Sequence, residues 1–549
     1  MYVARLIRED PGPENWRADN GRPLGPSPEA VPHAYGALGF GTLRNPLSEP
    51  RASHIIFVVR DDESRSDVVM QTSDPSWTAY NSYGLGNTYG GRTATGAANG
   101  RPGRANKVSF NRPINNRPGV NQYFNAEYPL TRWLERNGFD VTYVAGVDTD
   151  RQGQLLTNHR LFISVGHDEY WSAGQRRNVE AARDAGVNLA FMSGNEVFWK
   201  TRYEPSIDGT DTAYRTLVVY KESHSNQTDL GEVQSPRKID PVSDVWTGTW
   251  RDGSAANPEG PQPENALTGT IFTVNANRQD PLAVPARYGQ LRFWRNTEVA
   301  MLPPGEVAVL GNGILGHEWD EDLDNGFRPP GLIRLSETTL DGVSYPMDWG
   351  TVYDAGTATH NLVLYRANSG AIVFGCGCVQ YAYALDDFHD NPSALRAGTA
   401  NPYSIRVGRD PYGTVTALQQ ATVNLFADMG VHPTTLQRGL VPGVASQDDR
   451  PPVSEVDPQG DGLTVAAGEV TVSGTASDAG GVVAGIEVSV DEGQSWHPAV
   501  GTEQWTYTWM PSPPQETATI MSRATDDSLN TESPSRGVTL PYADPAVVR

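Results

Sequence analysis

Lysine and cysteine are nearly missing from this chain of 549 residues. Its lysines are Lys107, Lys200, Lys221 and Lys238, and the other 39 basic residues are arginine. Cations are also in deficit, 43 against 65 acidic residues, for a formal charge of −22. Such a surface repels phosphate backbones and anionic headgroups, so nucleic acid and peripheral lipid are excluded as first partners. Cys376 and Cys378 are too few for a disulfide framework or a thiolate zinc site, and they read as small buried fillers. No apolar run approaches the ~18 residues needed to span a bilayer. There is no G-x-S-x-G, H-E-x-x-H, Walker loop, G-x-G-x-x-G or C-x-x-C, so the usual hydrolase, zinc-protease and nucleotide readings drop out. The first eight residues alternate like a strand and lack a basic, apolar and cleavage-site triplet. As written the chain reads as cytoplasmic, and as exported if its true start lies upstream.

What is present is a packed but loop-rich protein, with 38% hydrophobic residues beside 56 glycines and 41 prolines. Residues 1–53 read as a strand followed by a Pro/Gly-rich surface excursion over 9–50. Residues 54–432 read as an α/β unit. In it, 55–59 and 67–71 are expected to be buried strands, the second running into a loop with Trp77, Tyr80 and Tyr83. A helix is predicted over 128–137, stopped by Gly138. Strands at 139–144, 160–165 and 188–193 enclose a helix opened by the Ser172…Gln175 capping box and closed by Gly186. Strand, helix, strand with short connections implies a parallel βαβ core, whose reactive groups gather at the carboxyl edge. Further strands are expected at 362–365 and 371–374, and a last helix at 413–429. A linker over 433–454 leads to 455–549, whose short strands fit an immunoglobulin-like β-sandwich.

Two polar clusters fall at the predicted sheet edge. His167, Asp168 and Glu169 can supply a metal ligand plus a base, or simply a hydrogen-bonded strand end. Asn195 follows the neighbouring strand, close enough to donate to a developing oxyanion, or else to hold the Gly194 turn. Tyr80 and Tyr128 lie among aromatics, where packing is the ordinary role. Lys221 follows another apolar strand and stands out because lysine is so scarce. The run 320–326 imitates a calcium loop, but its glycine comes one place late and Gly331 stands at position twelve, so it reads as a solvated acidic turn. Glu318, beside His317, offers a second His/Glu pair.

Seven motifs occur in order: 57–61, 71–81 (with Trp77-Thr-Ala-Tyr80-Asn81), 107–113, 127–135, 146–150, Val165-Gly-His-Asp-Glu-Tyr-Trp171 and Ser193-Gly-Asn-Glu-Val-Phe-Trp-Lys200. Together they resemble the large-subunit catalytic region of N,N-dimethylformamidase, over about residues 54–430. The resemblance implies a core like that of class I glutamine amidotransferases, and an amide hydrolase with one iron ion held by two tyrosines and a glutamate. Carried over, the ligands are Tyr80, Glu169 and Tyr128, with Tyr123 as the fallback. His167, Asn195, Lys221 and Glu318 match the polar residues placed around the metal. Glu318 or His167 is then the acid or base, and Asn195 or Lys221 the stabiliser of the carbonyl oxygen. The stretch 488–497 resembles the immunoglobulin-like domain that ends sulfite oxidases.

The leading expectation is therefore an iron-dependent hydrolase of a small dimethylformamide-like amide. No small subunit is contained in the chain, and homo-oligomerisation is left open. One alternative is a non-catalytic surface protein that grips glycan or a partner. Another is a glycan hydrolase pairing Glu169 with Glu318.

Overall fold

The structure is a computed structural model and describes residues 2–7, 52–81, 83, 86–92, 98–99, 104–114, 123–224, 236–350, 352–389, 413–457, 469–510, 517–534 and 537–541. The proline-rich stretch 9–50 lies outside the described residues. Its flanks pair as an antiparallel ribbon, Tyr2–Ile7 with Ala52–Phe57. The strand expected at 55–59 is thus not a buried core strand: it ends at Phe57, which is exposed, as is Val59.

The core is a seven-stranded mixed sheet. Its strands are β1 (Val68–Thr72), β2 (Val141–Ala145), β3 (Leu161–Gly166), β4 (Asn188–Ser193), β5 (Ile333–Arg334), β6 (Val363–Arg366) and β7 (Ile372–Gly375). They lie in the order β5-β6-β7-β4-β3-β1-β2. The five from β2 to β7 run parallel, whereas at one edge β6 is antiparallel to β7 and β5 is antiparallel to β6. The expected parallel core is therefore a mixed sheet.

Side chains alternate between two apolar layers, as a period of two requires. Val68, Met70, Ile163, Val165, Ala190 and Met192 enter one, and Val69, Phe162, Leu189 and Phe191 the other. The first layer is covered by α2 (Tyr128–Arg136), through Leu130, Trp133 and Leu134, and by α4 (Thr416–Asp428). The second is covered by α3 (Ala173–Asp184), through Val179 and Ala182. Burial on both faces explains why β1, β3 and β4 read as nearly continuous apolar runs. One expected loop is instead a helix: α1 (Asp74–Tyr80) starts directly after β1, with a proline in its first turn, where a missing N–H costs nothing.

Two further sheets stand past the carboxyl ends of β3 and β4. One joins Lys107–Ser109, Thr216–Val218, Trp199–Glu204 and Tyr170–Ser172. The other is antiparallel, with Val307–Glu321 and Ile271–Pro285 as its long hairpin. The linker is not a free spacer: Gln420 accepts from the Val441 N–H and donates to its carbonyl, both at 2.9 Å. The C-terminal sandwich has two four-stranded sheets around Trp505, Val472, Val488 and Ile520. It docks through a buried ion network, in which Arg328 pairs with Asp322 at 2.7 Å and with Glu487 at 3.2 Å. Arg334 and Arg523 complete it. The segment expected to be a solvated acidic turn is accordingly buried at Asp320, Glu321 and Asp322. Among the described residues no helix is long and apolar enough to cross a membrane.

Ser172 caps α3, accepting from the Gln175 N–H at 3.0 Å, and its hydroxyl also donates to Asp150. Replacing Ser172 with alanine should lower stability by about 1–2 kcal/mol, with Ser172→Thr recovering most of it. The urea unfolding midpoint measures this.

Candidate active site

Three segments meet where β3 and β4 end. Gly166 and Ser193 are paired in parallel register, so the residues following each strand emerge side by side. His167, Asp168 and Glu169 come from one, and Asn195 from the other. Glu169 is held in place by its own N–H, which donates to Ser76 Oγ on α1 at 3.0 Å. The last residue of α1 is Tyr80. Its hydroxyl donates to Glu169 Oε2 at 2.7 Å.

The third member is Tyr89, which the sequence reading missed. Its hydroxyl is 2.7 Å from both Glu169 Oε1 and Tyr80 Oη, and its ring stacks on that of Tyr80 with centroids 4.4 Å apart. A local turn delivers it. Asn87 Oδ1 accepts from the Tyr89 and Gly90 N–H groups, and its amide donates to the Tyr80 carbonyl. Thr88 then ties back to Ala79. The sequence Asn87-Thr-Tyr-Gly90 carries this turn signal, since an asparagine side chain readily bonds backbone two residues on.

Tyr128, the expected second tyrosine, is not at this cluster. It opens α2, and its ring packs on Tyr123, Phe124 and Phe388, with the Arg132 guanidinium over its face. Tyr123 is also elsewhere: it donates to Thr131 Oγ1 at 3.1 Å and packs against Trp77. A residue that starts a helix has its direction set by that helix, which the motif alone did not reveal.

His167 Nε2 lies 3.0 Å from Glu318 Oε2 and 3.6 Å from Glu169 Oε2. The Asn195 amide nitrogen donates to Glu318 Oε2 at 2.8 Å and sits 3.3 Å from His167 Nε2. Glu318 arrives on the long antiparallel hairpin. Lys221 is buried, with its ammonium 3.2 Å from the Tyr89 ring centroid and 4.3 Å from that of Trp199. The structure thus brings Tyr80, Glu169, His167, Asn195 and Glu318 together, with Lys221 lying on Tyr89. Asn195, Val197, Lys221 and His317 all have left-handed backbones, near φ 50°. Such conformations persist only where surrounding structure imposes them, and they cluster at functional sites.

Tyr80, Tyr89, Glu169, Asn195, Lys221 and Glu318 line a cavity of about 310 Å³, shared with Arg104, Phe198, Trp199, His224, Phe272, Asn275 and Tyr353, and His167 stands behind Glu318 rather than in the lining. Burial first, and then the Glu169 charge, push the Tyr80 and Tyr89 phenols well above the usual range, so without a cation they are neutral donors to Glu169. Burial likewise raises Glu169. A multivalent cation reverses this preference by favouring the anionic form of each ligand. The donor set fits one: the two phenol oxygens are 2.7 Å apart, and each lies 2.7 Å from a different oxygen of the Glu169 carboxylate. All three are hard donors, suited to a hard trivalent ion.

The chain belongs to the N,N-dimethylformamidase beta subunit-like family: the model of the family's C-terminal region matches residues 31–394. A bacterial Ig domain model matches residues 451–527. No curated protein matches. Among solved structures, the sulfane dehydrogenase SoxCD from Paracoccus pantotrophus is 20% identical, over 15% of this chain and 23% of its own, with a TM-score of 0.13. An engineered protein is also 20% identical, over 33% of this chain and 30% of its own, at the same score. This chain spans less than a third of either structure, and the two likenesses carry no argument.

Burial opposes the charge on both His167 and Glu318, yet each overcomes it. Neighbouring glutamates raise His167 above 6.5, and His317, His167 and Asn195 hold Glu318 down to about 2. The His167 contribution to stability is complete below 6.5 and fades as pH rises through the higher folded value. That of Glu318 is complete above 4.5 and fades as pH falls towards about 2. In metal-free protein the pair should therefore stabilise most between 4.5 and 6.5. Glu318→Gln should flatten the pH dependence of the urea midpoint on both flanks of that window.

Proposed function

We propose that this chain hydrolyses the C–N bond of a small amide, using one iron ion held by Tyr80, Tyr89 and Glu169. The observation that carries the proposal is the triangle of two phenol oxygens and a carboxylate, buried in the wall of a cavity. Family membership supports amide hydrolysis as the reaction class. The five parallel strands, with reactive groups at their carboxyl edge, support the likeness to a glutamine amidotransferase core; β5 and β6 depart from it.

Unactivated amides resist water, so the carbonyl must be polarised, the water deprotonated and the leaving amine protonated. The ion, when bound, supplies Lewis acidity and a lowered pKa for water. The side chains supply the rest. The His167–Glu318 pair takes the proton from the attacking water and returns it to the departing nitrogen as the C–N bond breaks, giving a carboxylic acid and an amine. Its 3.0 Å contact lets one proton pass between imidazole and carboxylate. The Asn195 amide N–H and the Lys221 ammonium offer charge to the carbonyl oxygen. Aromatic walls at Phe198, Trp199 and Phe272 keep bulk water from the reacting atoms.

Metal analysis of the purified protein should find stoichiometric iron with a phenolate charge-transfer band. Tyr80→Phe and Tyr89→Phe should each shift and weaken that band, or lose it together with the iron, and lower kcat/KM by at least about a hundredfold, several kcal/mol of stabilisation being lost. Tyr128→Phe should leave both unchanged. Formamide, dimethylformamide and N-formyl compounds are the first substrates. Metal-free protein without amide turnover, or a band unchanged in position and intensity by Tyr89→Phe, would sink the assignment.

A further inference from the structure

We propose that the amide taken by this cavity carries an aromatic group, seated against Phe198, Phe272 and Tyr353. The reaction rests on the hydrolase reading above; the ligand class rests on the cavity. At about 310 Å³ the cavity equals the liquid share of about ten waters. A formamide of five heavy atoms fills only part of that space and leaves the apolar wall facing water.

The wall is built for a ring. Phe198 and Phe272 are almost wholly buried and meet edge to face, with centroids 5.2 Å apart. Arg251, which does not line the cavity, lies over both rings and donates to the Phe272 carbonyl at 2.7 Å, so the pair is held from behind. Gly350 has φ +99°, and a Cβ there would come within 2.5 Å of Phe198 Cζ. Only glycine leaves the ring edge where it is, with the Tyr353 hydroxyl closing the same corner. The Tyr89 and Trp199 rings are already occupied by the Lys221 ammonium. Among the described residues of the lining, Tyr80 stacks on Tyr89 and His224 is tied to the Gly350 carbonyl, which leaves Phe198, Phe272 and Tyr353 as aromatic surfaces for a ligand, and edge-to-face geometry favours another ring over a chain. The polar groups, Glu169, Asn195 and Glu318, mark where the amide lies. Apolar walls with a few convergent polar groups are the pattern of a ligand site.

The test is calorimetric titration of the protein as purified with formanilide and with N-methylformamide, which share the formamide group and differ in the ring. Formanilide should bind at least about tenfold more tightly, as burying one ring face implies. Phe198→Leu and Phe272→Leu should each shrink that ratio. Affinities equal within about twofold, or a preference unchanged in both variants, would overturn the proposal, and the wild-type ratio decides even if a variant fails to fold. Iron content and turnover of N-methylformamide are read separately. An active iron enzyme with no preference defeats the ligand class alone, whereas iron-free, inactive protein that prefers formanilide defeats the hydrolase reading alone.

Discussion

Everything at the site depends on one buried carboxylate shared between two phenols. Glu169 is almost fully enclosed, and each of its oxygens has a tyrosine hydroxyl at 2.7 Å. Burial raises the cost of ionisation for all three groups, so they are mutually satisfied only as a hydrogen-bonded set or around a cation. Holding that set requires α1 to end at Tyr80, the Asn87 turn to fold Tyr89 back over it, and β3 to end at Gly166. The left-handed residues around the cavity are the local cost of bringing loops from three sheets to one point.

Much of this frame was legible because it follows from short-range rules. Continuous apolar runs announced β1, β3 and β4, and the Ser172 cap marked the start of α3. Neighbouring parallel strands then forced His167 and Asn195 together, which is why sequence spacing found both. Glu318 and Lys221 were marked by a second His/Glu pair and by the scarcity of lysine, the family resemblance then gave them roles, and both reach the cavity. What could not be read is direction. Tyr128 and Tyr89 are both tyrosines among aromatic residues, and only the tertiary path of each chain segment separates the one packed on Phe388 from the one stacked on Tyr80. The 55–59 strand failed for a related reason: apolar residues qualify a segment for burial without naming the partner that buries it.

The scarcity of lysine also has a structural counterpart. Lys107, Lys200 and Lys238 each pair with a carboxylate, Glu204, Glu259 and Glu222, at 2.5, 2.7 and 2.9 Å. Lys238, for which the sequence suggested no role, joins the Ile239 and Asp240 N–H groups in satisfying a buried Glu222. Lys221 differs in kind. Its ammonium lies on aromatic faces next to a candidate ligand, where a planar guanidinium would need more room and could not act as a compact point charge.

The sandwich is not an independent appendage, and one strand shows why. Alternate carboxylates along 318–322 meet three different needs. Glu318 faces His167 and Asn195 in the cavity. Asp320 accepts from the Asn195 N–H at 2.9 Å and from Thr270, fixing the left-handed turn that aims the Asn195 amide. Asp322 anchors Arg328 and Arg334, and Arg328 reaches Glu487 in the sandwich. Removing one partner from such a buried network leaves a charge without compensation, a cost of about 3–5 kcal/mol when no second partner remains. Here each carboxylate keeps a second arginine, Arg334 for Asp322 and Arg523 for Glu487. The junction therefore tolerates the loss of one contact, and the strand carrying Glu318 stays held from both the sandwich and the cavity side.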